Sequence, residues 1–282
     1  MNNKDCLRIR MSVGDKITQF VCKVFCQTVL ILLFVPIAYV LISSVHSRNG
    51  WSLDGYIMLM QNKFVLTGLK NSILLAVLGT IYSMILEIPA AYVLSKKEFG
   101  WLTNVFYAVG QFGVALLPLY LMLKQMGLLN SLWGLILPSG LSIYYTQQLR
   151  ARMINLAAEL ENAAALDGCN PIQYLFYICI PTMAPTIAVF AFFHMCGYWS
   201  NTLLAKTILT EESKYPLTLV LNQILIKNQS NAILGASNAA SIFTNQMAEY
   251  ALCVISTLPL IAVFLLIQKH VKAVELDGSI IS

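Results

Sequence analysis

Long apolar runs separated by short polar segments dominate this sequence. A membrane-spanning helix needs about 20 predominantly apolar residues, because hydrocarbon offers the backbone no water to bond. Six runs approach that length: Val24–Val45, Ser72–Leu94, Asn104–Leu123, Leu132–Leu149, Thr182–Leu204 and Gln246–Gln268. The 282 residues are 58% hydrophobic and only 11% charged, whereas soluble domains carry charge at roughly a quarter of positions. We therefore predict an all-α, polytopic membrane protein with six transmembrane helices.

The fourth run is the weakest of the six. Pro138 and Gly140 interrupt it, and two tyrosines, Tyr144 and Tyr145, follow them. Backbone groups freed by such a break must be bonded by neighbouring helices or by water in a cavity. This run is therefore expected to lie inside the bundle.

The charges around the runs predict that both termini lie in the cytoplasm. The first run follows a basic leader, but it is too long for a signal peptide and no small-x-small cleavage site follows, so we expect an uncleaved anchor. Lys and Arg favour cytoplasmic segments, and this orientation places there, besides the leader, Lys96, Lys97, Arg150, Arg152, Lys269 and Lys272. It also places the polar segment Glu159–Pro185 in the cytoplasm.

That polar segment predicts two short helices joined by a bend. Its first helix is indicated by apolar residues that recur at helical spacing: Met153, Leu156, Leu160, Ala163 and Ala164. Gly168 suits the left-handed conformation that ends a helix. Asn170 and Pro171 suit the N-cap and first position of the next helix, whose apolar side holds Leu175, Phe176 and Ile178.

The role of Asp167 follows from its place beside the bend. An exposed anion near a helix C-terminus opposes the helix dipole by about 0.3–1 kcal/mol. Turned towards the second helix, or paired with Arg150 or Arg152, Asp167 would stabilise the bend instead. On periodicity alone, the segment is equally an interfacial or re-entrant linker without a partner.

The combined spacing resembles the EAA motif of binding-protein-dependent ABC importer permeases. The resemblance rests on residues 159–168 (ELENAAALDG) and on Ile178, Ile180, Pro181 and Pro185 at fixed offsets from Gly168. It is closest to the carbohydrate branch, similar to the smaller maltose-type subunit. Further agreements are Asn71-Ser72, residues 90–95 (AAYVLS), Pro118-Leu-Tyr120, Trp199 with Asn201, Gln268-Lys269, and residues 215–226, which look like the loop of oligosaccharide or polysaccharide-fragment permeases.

The resemblance implies the type I ABC importer permease fold with a cytoplasmic coupling helix, in the bacterial cell membrane. Residues 1–70 would hold the leader, first transmembrane helix and outside loop, residues 71–269 the importer domain with a coupling loop at 150–181, and residues 270–282 a cytoplasmic tail. The implied contacts with the ATPase are Glu159, Glu161, Asn162, Ala163, Ala164, Asp167, Gly168 and Pro181. The implied partners are ABC ATPase subunits, a second permease subunit and an extracytoplasmic solute-binding protein, and the implied cargo is a sugar or oligosaccharide.

Two positions depart from the family pattern. Asn162 stands where the motif's first glutamate is usual, and Ala157 stands where proline is common. The first change puts an ion pair with the ATPase in doubt, for which Glu161 would either compensate or leave a weaker interface.

No catalytic chemistry is predicted for the chain itself. The sequence has no GxxxxGK[ST] phosphate loop, so it is not expected to hydrolyse ATP. The seven cysteines form no CxxC pair and lie mostly in or beside apolar runs, which indicates neither a disulfide framework nor a metal site. We expect no cofactor and no nucleic-acid partner.

A few polar residues within the runs are candidates for lining a transport path: Glu87, Gln111, Tyr144, Gln147, Trp199 and Asn201. Glu87 is the most notable, since a carboxyl in lipid is costly and often functional. It either bonds backbone freed by Pro89, contacts a partner subunit or takes part in transport. Gln111, Tyr144 and Gln147 either line the path or hold helices together. His194 stands alone in its run and is expected to be a packing histidine.

Two other functional classes remain open at this point. A secondary transporter would need paired intramembrane charges and repeat symmetry, and Glu87 is the main feature of that kind. An intramembrane protease would need a Ser-His or paired Asp constellation, which the runs do not offer.

Overall fold

The computed structural model describes residues 13–47, 50–112, 115–156, 158–233 and 239–278. Thirteen α-helices lie in these ranges: α1 Val13–Ser43, α2 Asp54–Gln61, α3 Lys63–Ser95, α4 Gly100–Gln111, α5 Leu116–Gln125, α6 Trp133–Ile136, α7 Ile143–Asn155, α8 Ala158–Leu166, α9 Pro171–Tyr174, α10 Ile180–Ser200, α11 Thr202–Ile208, α12 Leu217–Ile233 and α13 Ala239–Gly278. A two-stranded antiparallel hairpin, β1 His46–Ser47 and β2 Gly50–Trp51, follows α1. The predicted all-α class is confirmed.

Four helical stretches within the described ranges are long and apolar enough to cross a membrane. They are Thr18–Ser43, Lys63–Ser95, Pro171–Ser200 and Met247–Gln268. These correspond to the first, second, fifth and sixth predicted runs.

The third and fourth predicted runs are divided into shorter helices. α4 ends at Gln111 and α5 begins at Leu116. Pro118 lies in the first turn of α5, which tolerates proline because the amide that proline lacks would have no partner within the helix there. In the fourth run, α6 continues into a 3₁₀ turn, Leu137–Ser139, that contains Pro138, and α7 starts afresh after Ser142.

Helix α3 is the centre of the packing, with contacts to α7, α10 and α12 among others. Small residues allow the closest approaches. A Cβ atom on Gly79 would lie 2.7 Å from the ring of Tyr198 in α10, so the two helices meet there without space for a side chain. The Tyr198 hydroxyl is bonded to Ser83 Oγ at 3.0 Å and to the Ile136 carbonyl at 3.2 Å, which fixes the ring.

The start of α3 is tied to the connection between α11 and α12. Asn71 Nδ2 donates to the carbonyls of Ser213 and Tyr215, and the Leu217 amide donates to Ser72 Oγ at 2.8 Å. The apolar segment 215–226, which the sequence likens to a loop of oligosaccharide permeases, contains the first part of α12. This helix packs on α3 and α13 through buried side chains that include Leu217 and Leu219.

The same end of the molecule is braced by Asn130, which has a φ of 54°. Its Oδ1 accepts from the amides of Thr210 and Glu211, and its Nδ2 donates to the Glu211 carboxylate. Hydrogen bonds from Lys214 and Asn130 lower the pKa of the Glu211 carboxyl. The α5–α6 connection is thereby joined to the α11–α12 connection.

Candidate functional site

The bend in the polar segment is formed by α8, a tight turn and α9; we call residues 158–174 the elbow. Helix α8 ends at Leu166, and Gly168, two residues later, has a φ of +82°. The Cys169 amide donates to the Ala164 carbonyl at 3.0 Å and the Gly168 amide to the Ala165 carbonyl at 3.1 Å. This bonding is the Schellman motif, which needs a residue that adopts positive φ at low cost. The predicted helix stop at Gly168 is observed.

Helix α9 begins with a capping box. The Gln173 amide donates to Asn170 Oδ1 at 2.8 Å, and the Asn170 amide donates to Gln173 Oε1 at 2.9 Å. Pro171 occupies the first helical position, as predicted. Helix α9 then runs through a π-helical turn, Leu175–Cys179, directly into α10.

The inner side of the elbow packs on the ends of α3 and α7. Its buried cluster contains Ala164, Tyr174 and Leu175, against Ala91 of α3 and Met153 of α7. Phe176 is more than half exposed, so it departs from the predicted apolar side of the second helix. The cluster continues into α10 through Cys179 and Met183. A displacement of the elbow would therefore act directly on the packing of α3, α7 and α10.

An ion pair fixes α8 to the end of α3. The Lys96 ammonium donates to Glu161 Oε1 and lies 4.5 Å from the Tyr92 ring centroid and 5.8 Å from that of Tyr174. Partial burial alone would lower the pKa of Lys96, but the hydrogen bonds to Glu161 and Tyr92 outweigh it and raise the pKa. A raised lysine pKa means that the pair is retained at neutral pH and lost only as the pH rises through that pKa.

A second bond holds α7 at the same place. Arg150 Nε donates to the Leu94 carbonyl at 2.8 Å, near the C-terminus of α3. The expected pairing of Asp167 with Arg150 or Arg152 is therefore not observed: among the described residues the Asp167 carboxylate is exposed and unpaired. The bend is held instead by the backbone bonds around Gly168 and by Lys96. Glu161, proposed to compensate for Asn162 towards an ATPase, already has its partner within the chain.

The outer side of the elbow exposes apolar residues beside small ones. Leu166 is 90% exposed and Ile172 is 68% exposed, and between them lie the exposed Asp167 and Gly168. Asn162, Ala163 and Pro181 are also exposed, whereas Ala164 is buried. Leu166 thus projects from the C-terminal end of α8 with small or polar residues beside it.

The single helix predicted from Met153 to Ala164 is interrupted near Leu156. α7 ends at Asn155, and Leu156 adopts an extended conformation with a ψ of 122°. The stripe from Met153 to Ala164 is thus shared between α7 and α8, which join at this break. Ala157 and the side chain of Glu159 lie outside the part of the chain that the structure describes.

Glu87 lies about one helical turn before Ala91 on α3 and joins three helices. Its carboxylate is fully buried, and Oε1 accepts from the Ser142 amide at 2.6 Å, at the start of α7. It therefore bonds backbone freed by the break at Pro138–Gly140, and the expected bond to backbone freed by Pro89 is not observed. Oε2 lies 2.9 Å from Nε2 of His194 in α10, without the alignment of a hydrogen bond.

His194 is therefore not isolated, contrary to the expectation from the sequence. The sequence carried a signal for this pair, since each group alone would be costly in an apolar run and a shared location reduces that cost. Nothing comparable in the sequence indicates that Glu161 pairs with Lys96, because Lys96 is one of several cations near the membrane surface.

The other candidate path residues are dispersed. Tyr144 and Gln147 are exposed on α7, and Asn201 is partly buried at the N-cap of α11. Trp199 is buried in a cluster with Val65, Ala76 and Leu252, so its ring points into the bundle. The side chain of Gln111 lies outside the described part.

Residues 71–273 match the family described as "Binding-protein-dependent transport system inner membrane component". The chain belongs to this family. It is therefore a multi-pass inner-membrane transport subunit.

Two relatives from Bacillus subtilis support this assignment. Protein LplC is 31% identical over 233 residues, covering 82% of this chain and 79% of the relative. The polygalacturonan/rhamnogalacturonan transport system permease protein YtcP is 31% identical over 234 residues, covering 82% of each.

Solved structures show the same fold. The crystal structure of a bacterial ABC transporter involved in import of the acidic polysaccharide alginate matches with a TM-score of 0.80 at 23% identity, covering 92% of this chain and 98% of that one. A complex of an alginate ABC transporter with an alginate pentasaccharide-bound periplasmic protein matches with a TM-score of 0.64 at 14% identity. The type I importer permease fold expected from the resemblance is thus confirmed.

Proposed function

We propose that this chain forms half of the translocation pore of an ATP-driven importer for a sugar or oligosaccharide, and that a separate ATPase drives it through the elbow. The observation that carries the proposal is the two-sided character of the elbow. Its inner side is fixed to α3, α7 and α10 by Lys96 and a buried cluster, while its outer side leaves Leu166 exposed. Force applied to Leu166 would reach three helices at once.

The energy source must lie in another polypeptide, because the sequence has no phosphate loop. The partners are ABC ATPase subunits, a second permease subunit and an extracytoplasmic binding protein that delivers the sugar. The named relatives and the alginate complex support this assignment. ATP and the loaded binding protein would each favour one state of a bistable bundle.

The proposed ATPase contacts are the exposed elbow residues Asn162, Ala163, Asp167 and Gly168, joined by Leu166, with Glu159 and Pro181 at the margins. Ala164 and Glu161 act from the inner side and hold the elbow in place. We further propose the N-in, C-in orientation and the division into residues 1–70, 71–269 and 270–282.

The test compares two variants at Gly168 in the reconstituted complex with its ATPase, partner permease and binding protein. Space does not limit a side chain there, since a Cβ atom would meet nothing within 4 Å. In Gly168→Val, the valine must adopt the positive φ of Gly168, which costs a non-glycine residue about 1–2 kcal/mol. Asparagine, in Gly168→Asn, tolerates a positive φ.

We expect Gly168→Val to hydrolyse ATP with little accompanying uptake, and Gly168→Asn to retain most coupled uptake. ATPase activity that rises on addition of loaded binding protein supports the importer assignment itself. Wild-type uptake by Gly168→Val would contradict the coupling role. Uptake by this chain alone, driven by an ion gradient, would instead favour a secondary transporter built around Glu87 and His194.

A further inference from the structure

Helices α3, α7 and α10 meet at a buried acid–base contact. Glu87 of α3 is fully buried, and His194 of α10 is only 5% exposed. Glu87 Oε1 accepts from the Ser142 amide at the start of α7, and Oε2 lies 2.9 Å from His194 Nε2. One carboxylate thus joins α3 both to α7 and to α10.

The two links of this carboxylate respond differently to protons. A backbone amide is a donor at every pH, so the link from Glu87 to α7 does not depend on pH. A protonated imidazole donates from both nitrogens and is positively charged, whereas a neutral one donates from only one of them. The link from Glu87 to α10 therefore depends on whether His194 carries its second proton.

In the structure this second link is within reach but not made. Nε2 of His194 and Oε2 of Glu87 have no hydrogen-bond partner within the described part of the chain, although the two atoms are close enough to bond. Buried polar atoms are normally satisfied, and a buried carboxylate with one donor is costly. A proton on Nε2 would satisfy both atoms after a rotation of either side chain.

Histidine is the type of side chain whose charge ordinarily changes between about pH 5 and 8. The titratable groups that face the pair from the same three helices are Tyr82 of α3, Tyr144 and Tyr145 of α7, and Cys196 and Tyr198 of α10. Helix α13, which packs on α10, carries Glu249, Tyr250 and Cys253 in its apolar stretch. Tyrosines and cysteines ordinarily titrate above about pH 8, and carboxyls below about pH 5.

Protons can reach the ring although it is buried. His194 lines a cavity of about 250 Å³ between the start of α7 and the last turns of α10, whose polar lining includes Ser142 and Asn201. A cavity of this size with several polar groups has room for water. Water there exchanges protons with the imidazole.

We propose that His194 is a positioning residue whose bound proton fixes α10 to α3 and α7, and that loss of this proton frees α10 to move during transport. With the proton bound, the contact with Glu87 is neutral overall and bonded. Without it, Glu87 is a buried anion held by one amide, and a conformation that hydrates the carboxylate is favoured. The proton thus acts as a ligand of a bistable bundle. The inference rests on the proposed function and adds regulation by pH.

The test measures ATP hydrolysis by the complete permease–ATPase complex in nanodiscs from about pH 5.5 to 8.5. Rates are taken with and without the binding protein, isolated with its bound cargo. His194→Gln keeps a donor of similar reach that never becomes charged, and Glu87→Gln removes the charge of its partner. His46→Gln is the matched control, because His46 is an exposed histidine of the hairpin, against Trp51. Dividing each variant's rate by the wild-type rate at the same pH cancels the pH dependence of the ATPase itself.

We expect the ratio of His194→Gln to wild type to be near one at the alkaline end and to rise about five-fold or more towards the acid end. The sign follows because only the wild-type ring gains a charge there, so only the wild type is held and slowed. Glu87→Gln should show the same rise, the double variant no further rise, and His46→Gln no change. Thermal unfolding at about pH 8 checks that each variant is folded.

A ratio that is constant across the pH range would show that His194 is only a packing residue and would overturn the proposal. A ratio that is largest at the alkaline end would overturn it as well, since the link would then have the opposite sign. Because the ratio is also read without binding protein, it does not depend on the importer assignment being correct. That assignment is judged separately, by whether loaded binding protein stimulates wild-type hydrolysis at about pH 8, where the link is open.

Discussion

At the scale of single residues, the two acid–base contacts differ in burial and therefore in what they do. Glu87 and His194 are buried, so the carboxylate depends on the Ser142 amide and on the histidine for its stability. Lys96 and Glu161 are partly exposed, and such pairs contribute only about 0–1 kcal/mol. The first contact is expected to affect the stability of the bundle, and the second the position of the elbow.

Two replacements of Glu87 distinguish the effect of its hydrogen bond with the Ser142 amide from the effect of its charge. Glu87→Gln keeps an acceptor for the Ser142 amide and removes the buried charge, so we expect near-wild-type thermal stability. Glu87→Leu has a similar size but leaves that amide unsatisfied, which costs about 1–3 kcal/mol. In thermal unfolding of the purified complex, the wild type and Glu87→Gln should therefore melt at similar temperatures, and Glu87→Leu at a lower one. Equal melting of the Gln and Leu variants would show that the Ser142 bond is unimportant.

Charge reversal tests the link between α3 and α8. Lys96→Glu should leave expression and melting nearly unchanged, because the pair is weak, but it should lower uptake per ATP hydrolysed, because α8 is no longer held. Adding Glu161→Lys should restore part of that ratio. If the double variant is no better than Lys96→Glu alone, the lysine acts through its contact with Tyr92 instead.

Sequence reasoning at this scale succeeded where the local backbone decides the structure. Gly168, Asn170 and Pro171 were assigned correctly because helix stops and caps depend on neighbouring residues. The partners of Glu87 and Glu161 lie 107 and 65 positions away along the chain. No local pattern specifies such pairs, so they required the fold.

At the scale of elements, α3 organises the molecule because its small residues let other helices approach. Gly79 admits the Tyr198 ring of α10, and Gly68 faces Leu217 and Val220 of α12. The broken fourth run is held against the same helix, since a Cβ atom on Gly140 would lie 2.2 Å from the Tyr82 ring.

Gly79→Ala should disturb the contact between α3 and α10. The added methyl group meets a ring that hydrogen bonds to Ser83 and Ile136 hold in place, and overpacking of this kind costs about 1–3 kcal/mol. Gly100→Ala is the control, since a Cβ atom there meets nothing within 4 Å. Thermal unfolding should place Gly79→Ala clearly below both wild type and Gly100→Ala, and similar melting of the two variants would contradict the tight contact.

Hydropathy located the apolar runs but not their divisions. The sixth run agrees closely with the apolar stretch Met247–Gln268 within α13, whereas the third run is split near Pro118 and the fourth near Pro138. Proline alone does not decide the outcome, because Pro36, Pro89, Pro185 and Pro259 all lie inside long helices. Composition alone therefore does not reveal which prolines divide an apolar run.

At the scale of the whole molecule, the elbow and the α11–α12 connection lie at opposite ends of α10. The stretch Pro171–Ser200 has 30 residues, or about 45 Å of helix, which exceeds a hydrocarbon core of about 30 Å. The two ends should therefore reach water on opposite sides of the membrane.

Cysteine labelling in oriented vesicles tests this arrangement. In a background without native cysteines, Leu166→Cys should react with an impermeant maleimide only in inside-out vesicles. Glu212→Cys, in the turn between α11 and α12, should react only in right-side-out vesicles. Both positions reacting from the same side would refute the proposed topology and with it the cytoplasmic elbow.

The π-helical turn at Leu175–Cys179 sets the angular phase between the elbow and α10. Such a turn contains one residue more than an α-helical path, and each residue of an α-helix advances by about 100°. Deleting one residue there, such as Tyr177, would remove the extra residue that the wide turn accommodates, so the helix would close regularly and keep Leu166 near its present direction. Deleting a residue from a regular turn of α10 would instead rotate the elbow by about 100° relative to the rest of that helix. The wide turn is therefore the one place in this helix where a one-residue deletion leaves the direction of the elbow nearly unchanged.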